Sequence, residues 1–212
     1  MKKFVDARLF YLFVLSGVVA GCSNSVSGTP EVEGSVPATT GFSNEVPVEL
    51  SLDSYLERPC EIVPSEVLDP MGYELEGNEF KPGDGDLGGQ IAGLTGPACG
   101  WGAADKSQSR VLTVTLLGRD FTQGKDIMDV GRRWHSQGQF ELWEESQILG
   151  YPVVYWGISD KRDQGNCSLL FRISKDSFIG VSSDLHFDTP ERACSDVETV
   201  TESILQVLRG GL

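Results

Sequence analysis

The stretch Cys167-Ser-Leu-Leu-Phe-Arg-Ile-Ser-Lys-Asp-Ser-Phe-Ile-Gly-Val-Ser-Ser-Asp-Leu185 decides the fold. Over 167–174 the odd-numbered residues Cys167, Leu169, Phe171 and Ile173 fall on one face of a strand. Lys175-Asp176-Ser177 supplies a turn, and Phe178 to Leu185 returns as the second strand of a hairpin. A helix follows: Thr189-Pro190 offers an N-cap with proline at the first helical position. Cys194, Val197, Val200, Ile204, Leu205 and Leu208 form its apolar stripe, and Gly210-Gly211 ends it. The chain leaving the second strand comes back beside Cys167, so the buried stripe of the last helix brings Cys194 to it.

Upstream, 140–146 and 152–158 read as two further strands. Asp126 caps a helix whose apolar positions Ile127, Val130 and Trp134 are spaced by three and four, with Gly138 as its stop. Val111 to Leu117 alternates threonine with aliphatic residues, which marks a strand. Residues 74–98 read as a Gly-rich acidic loop, and 53–73 as one or two short helices interrupted by Pro59 and Pro64. The order helix, strand, helix, strands, helix predicts an α+β domain, an antiparallel sheet packed with helices.

The N-terminus reads as a targeting signal. Lys2, Lys3 and Arg8 precede the apolar run Leu9 to Leu15, which continues to Ala20; this is the layout of a secretory signal peptide. The apolar stretch is shorter than the roughly 20 residues a membrane span needs. Val19-Ala20-Gly21-Cys22 then looks like a bacterial lipobox, in which the cysteine sulfur carries a diacylglycerol and becomes the first residue after cleavage. The alternative is a chance cysteine behind an ordinary signal peptide; its position and the polar Ser23-Asn24 that follow favour lipidation of Cys22. Removing residues 1–21, which carry a net +2, leaves 191 residues with a formal charge near −16. Residues 23–49 have no Lys or Arg, one aromatic residue, and five Ser, three Thr, three Gly and three Pro. Such a segment buries too little apolar area to offset its ordering entropy. It reads as a tether with a reach of roughly 30 Å, although Val46, Val48 and Leu50 also alternate as an edge strand would. The expected organisation is a signal peptide over 1–21, a lipidated cysteine and tether over 22–50, and a single α+β domain over 51–212.

Charge narrows the function. With 17 Lys plus Arg against 31 Asp plus Glu, the chain lacks the clustered cations that bind a phosphate backbone, so no nucleic-acid partner is expected. Anionic headgroups likewise repel it, which leaves the membrane as a partner through the lipid on Cys22 alone. With Cys22 lipidated, Cys60, Cys99, Cys167 and Cys194 allow three disulfide connectivities. The hairpin geometry favours Cys167–Cys194 and so leaves Cys60–Cys99. No cysteine or histidine pair has close metal-ligand spacing, so no metal site is expected.

The order of these features resembles a known family. Arg58-Pro59-Cys60 precedes Pro64-Ser-Glu-Val-Leu68; Cys99-Gly-Trp101 precedes a strand; Gly150-Tyr-Pro-Val-Val154 lies in one. Asn166-Cys-Ser-Leu169 opens the hairpin and Arg192-Ala-Cys194 the last helix. Over about residues 55–209 the chain is similar to the actinobacterial lipoproteins catalogued as domain of unknown function 3558. It departs from them at Arg58-Pro59, where Asp-Pro is usual, and in the long acidic insertion between Glu74 and Gly96. The resemblance implies an exported, membrane-anchored protein with a PsbP/Mog1-like α/β/α sandwich, and it carries over no catalytic residue and no cofactor.

Other motifs weigh little. Gly83-Asp-Gly-Asp-Leu-Gly88 matches a dinucleotide-binding pattern in letters, yet no strand precedes it and two aspartates stand where pyrophosphate belongs. The same aspartates lack the rest of a calcium loop, which makes a solvated acidic loop the better reading. His135 follows Arg132-Arg133-Trp134, a cationic patch or, more often, a solvated helix face with Trp134 in the core. Glu144 and Glu145 are adjacent in a strand and point to opposite faces. His186-Phe187-Asp188 has no nucleophile elbow to serve. Trp101, Trp134, Trp143, Tyr151, Tyr155 and Trp156 suit core packing or an apolar pocket. The sequence therefore predicts a non-enzymatic lipoprotein on the outer face of the plasma membrane, a module binding an envelope protein or an apolar small molecule. The runner-up is an envelope hydrolase acting on a glycan or ester.

Overall fold

A computed structural model describes residues 44–210. The signal peptide, Cys22 and most of the tether expected from the sequence lie outside the described residues. Seven strands form one sheet: β1 (Asn78–Phe80), β2 (Ala98–Gly102), β3 (Val111–Leu117), β4 (Leu142–Ile148), β5 (Tyr151–Gly157), β6 (Cys167–Arg172) and β7 (Phe178–Asp184). Their order is β1-β2-β3-β7-β6-β5-β4, and every neighbouring pair is antiparallel. Five helices accompany them: α1 (Ser65–Met71), α2 (Leu87–Thr95), α3 (Arg119–Thr122), α4 (Ile127–Ser136) and α5 (Arg192–Leu208). This is the expected α+β class.

The hairpin expected over 167–185 is β6–β7, paired from Cys167↔Ser183 to Arg172↔Phe178. Alternation along each strand sorts the side chains onto two faces. On the inner face Trp101, Leu112, Val114, Leu169, Phe171, Ile179 and Val181 join Val197, Val200, Ile204 and Leu205 of α5 in one buried cluster. Burying a side chain of this size contributes about 1.5–3 kcal/mol relative to exposure, so this layer dominates stability. Both favoured disulfides are present: Cys60–Cys99 ties the Pro59–Ile62 turn to β2, and Cys167–Cys194 ties β6 to the first turn of α5.

On the outer face a smaller cluster of Met128, Val154, Leu170 and Phe178 lies under α4. Asp126 caps α4 as expected, accepting hydrogen bonds from the backbone N–H groups of Met128 and Asp129, and it also pairs with Arg172 of β6. One carboxylate thus starts the helix and fastens it to the sheet. The helix is rotated from the expected face: Met128 and Gly131 are its buried residues, and Trp134 is 44% exposed. Gly131 is the reason. A Cβ there would lie 2.3 Å from the Trp143 ring, so only glycine lets the helix approach that aromatic surface.

The segment 74–98 is not a loop. It contains β1 and α2, and it runs into β2 at Ala98. Glycine inside a helix costs about 1 kcal/mol against alanine, so three glycines in α2 conceal it from a propensity reading. Tertiary packing overrides that cost: Gly89 and Ala92 are its buried residues, and Gly88 lies against the Phe80 ring. The last helix starts at Arg192, two residues after Pro190, with no side-chain cap from Thr189.

Residues 44–50, the end of the expected tether, lie on the domain. Val46 and Leu50 pack against the inner cluster, Leu50 N–H donates to Ile173 O at 2.9 Å, and Tyr151 Oη–H donates to Val48 O at 3.0 Å. No helix among the described residues is long and apolar enough to cross a membrane.

Candidate functional site

Two places combine chemistry-bearing residues: a polar cluster inside the inner layer, and the outer face of the sheet between its helices.

The polar cluster gathers residues far apart in sequence. Tyr73 follows α1, Ser183 is on β7, His186 follows that strand, and Asp196 is on α5. The Tyr73 Oη stands 2.8 Å from Ser183 Oγ and 3.0 Å from His186 Nε2, and it donates to Asp196 Oδ2 at 3.0 Å. Ser183 Oγ lies 2.8 Å from the same His186 Nε2. Asp196 also faces His186 Nε2 and the Arg192 guanidinium, each at 3.6 Å. Gly165 holds the histidine from the other side: its O accepts from His186 N at 3.0 Å, and a Cβ at its φ of +78° would lie 2.4 Å from His186 O. Arg110 lies over the Tyr73 ring, 5.3 Å from its centre, and donates to Gly72 O.

The electrostatics follow from burial. Desolvation raises the Tyr73 hydroxyl far above its ordinary value, with the Asp196 charge adding to it, so the phenol keeps its proton. Desolvation lowers His186 below its ordinary value, against the pull of Asp196, which favours the neutral ring.

A serine, a histidine and a carboxylate in contact invite comparison with a hydrolytic triad, and the wiring fails it. In a triad, histidine meets serine through one ring nitrogen and the carboxylate through the other. Here Ser183 and Asp196 both approach Nε2, while Nδ1 is buried with no partner among the described residues. Ser183 is fully buried on a regular strand, so no substrate reaches its Oγ. The cluster is a polar knot that joins β7, α1 and α5.

The outer face differs. Register puts Thr115, Gly180 and Leu170 in one row and Thr113, Ser182 and Ser168 in the next. The small members of these rows are only half-buried. A recess of about 380 Å³ opens between α2 and the sheet, lined by Phe80, Leu87, Ile91, Ala92, Thr113 and Thr115 among others. Another of about 330 Å³ opens beyond β7, where Trp156, Ile158, Lys161, Asn166, Ser168 and Asp184 meet. Burial raises the Asp184 carboxyl above its ordinary value. Trp134, Phe140, Trp143 and Trp156 stack and tilt against one another along the far side of this face.

The remaining motifs resolve into structural roles. Asp86 caps α2 through Gly89 N–H and Asp84 accepts from Lys81 N–H, so both aspartates of the Gly-rich stretch serve their own backbone. No group of three His, Cys, Asp or Glu among the described residues could hold a metal ion. His135 Nδ1 contacts Phe140 O, and Arg132 is held by Asp129 and Glu145. Glu144 pairs bidentately with Arg162 and Glu145 bonds Trp143 and Arg132 on the opposite face, so the two carboxylates do not converge. The buried cluster had a signal that the sequence reading missed. Ser183 falls on the inward parity of β7 with Ile179 and Val181, and Asp196 interrupts the buried stripe of α5 beside Val197. Polar residues at inward positions need partners.

These features define a two-disulfide α+β domain with helices on both faces of one antiparallel sheet. The chain belongs to the family described as protein of unknown function (DUF3558), whose profile it matches over residues 17–206. No curated protein and no solved structure gives a significant match.

Proposed function

We propose that the protein is an exported, lipid-anchored docking module of the bacterial cell envelope that works without catalysis. Cys22 in its lipobox would hold it on the outer face of the plasma membrane, as in the actinobacterial lipoproteins it resembles, and the PsbP/Mog1-like sandwich would present a binding face to an envelope protein. The observation that carries the reading is the contrast between a buried Ser183–His186–Asp196 cluster, its serine fully enclosed, and an outer sheet face left half-open. Recesses open to solvent suit a partner's side chains better than an enclosed apolar cargo. The anchoring half is tested by Cys22→Ser in cells. Loss of fatty-acid labelling and release from the membrane fraction are expected; continued labelling overturns it.

The second reading, an envelope hydrolase, draws on the contact between Ser183 and His186. It requires that a serine-reactive fluorophosphonate label the folded protein at Ser183. The docking reading expects labelling only after unfolding.

A further inference from the structure

The helix α2 carries its large side chains outward. Leu87, Ile91 and Leu94 are spaced by four and three, fall on one face, and are 71%, 51% and 85% exposed. A helix normally turns such a stripe to the core; here the core side is made of Gly89 and Ala92 instead. Beneath Leu87 and Ile91 the apolar recess floored by Phe80 and Thr113 is open to receive a side chain. An exposed cluster of this kind marks an interaction surface.

The charges around the stripe select the occupant. Between Glu74 and Gly96 stand five carboxylates and one cation, Lys81. Lys81 pairs with Glu79, and Glu74 pairs with Lys106. Asp84 and Asp86 are exposed carboxylates at the entry of α2, at the head of the stripe. A second copy of this chain meeting the patch in a two-fold contact would set acid against acid. An anionic lipid surface would be repelled for the same reason. The tether over 23–49 contains no Lys or Arg, so it lacks the matching charge.

We infer that α2 docks an amphipathic segment of another protein, apolar on the facing side and rich in Lys or Arg at its rim, with one apolar side chain seated in the recess beside Phe80. The inference rests on the docking-module reading and names its surface. Apolar anchors in a pocket with charges at the rim are the usual division of labour between affinity and steering.

The test uses a synthetic helical Leu/Lys peptide, its Leu/Glu counterpart and phosphatidylglycerol vesicles, each titrated against the full chain. The Leu/Lys peptide should bind and the Leu/Glu peptide should not. The variant Leu87→Ser/Ile91→Ser/Leu94→Ser, which touches only exposed positions, should weaken Leu/Lys binding by about tenfold or more. Asp84→Asn/Asp86→Asn keeps side-chain acceptors at both positions and should weaken it severalfold while flattening its salt dependence. Equal binding by the serine variant, binding of the Leu/Glu peptide, or capture on the vesicles through the stripe would each overturn the proposal. A photo-crosslinker at Ile158, an exposed residue at the other recess of the outer face, separates the two levels. A defined protein adduct there beside a failed peptide titration removes α2 as the surface and leaves the docking module standing. No adduct from Ile158 or from Leu94 in intact cells, with the peptide unbound, removes both.

Discussion

On the inner face of the sheet Leu112, Val114, Leu169, Phe171 and Val181 are all buried, under α5 and the Pro59–Ile62 turn. The residues that alternate with them in the same strands, Thr113, Thr115, Ser168, Gly180 and Ser182, remain half-exposed on the outer face. One backbone thus carries two surfaces with different duties. The inner layer supplies nearly all the apolar burial, both disulfides and the polar knot. The outer layer is fastened only at its margins, by α4 on one side and by α2 on the other. A protein built in this way can lose side chains from the centre of its outer face without losing its fold, which is what a surface free to bind requires.

The largest expected effect breaks the inner layer. Phe171→Ala should cost about 3–5 kcal/mol, because a buried ring leaves both a transfer loss and a cavity. Ser182→Ala, on the neighbouring strand but the other face, should stay within about 0.5 kcal/mol. Equilibrium unfolding in urea measures both. Next in size is the clamp between β6 and α5. Replacing Cys167 and Cys194 together by Ala opens a loop closed across a separation of 27 residues. The chain-entropy model puts the loss at about 3.5 kcal/mol, to be read as a lowered urea midpoint with the other disulfide intact.

A smaller effect sharpens the contrast through pH. Burial lowers the His186 ring below the ordinary 6.5, although Asp196 and Glu191 pull it upward; Arg110 and Arg192 reinforce the lowering. The unfolded chain therefore takes up the proton first. The stability contributed by the neutral ring is present above about pH 6.5 and falls as the pH drops below it. Asp184 on the outer face, raised by burial from 3.8, acts with the opposite sign at lower pH, and His186→Gln leaves it in place. Unfolding free energies at pH 7.5 and 5.5 should differ less in His186→Gln than in the parent protein. An unchanged pH dependence would show that the ring is not what links this layer to protons.

The two faces were also unequally legible. The inner layer could be read because period-two alternation from Cys167 to Ile173 and the stripe from Val197 to Leu208 are strong local signals, and because two strands and a helix leave Cys194 nowhere else to go. The outer layer could not. The exposed stripe of α2 is separated by Gly88, Gly89 and Gly93, and its stabilising contacts with Phe80 and Thr115 belong to other elements. Gly131 hid the true face of α4 by accepting the Trp143 ring where a larger residue would have turned outward. The polar knot joins positions as much as 123 residues apart, and no local pattern announces such a meeting. What the sequence offered there was a parity violation, a serine and an aspartate at inward positions, which points to a partner without naming it.

The central claim is that the Tyr73 knot and its layer hold the fold while the outer face is dispensable for it. Urea unfolding of Tyr73→Phe beside Leu87→Ser/Ile91→Ser/Leu94→Ser tests this most directly. The first removes the donor to a buried carboxylate and should cost about 1–3 kcal/mol; the second should stay within about 0.5 kcal/mol for each exposed site. A Tyr73→Phe protein as stable as the parent, or a serine variant that loses more than about 0.5 kcal/mol per site, would contradict the division of the sheet into a structural face and a working one.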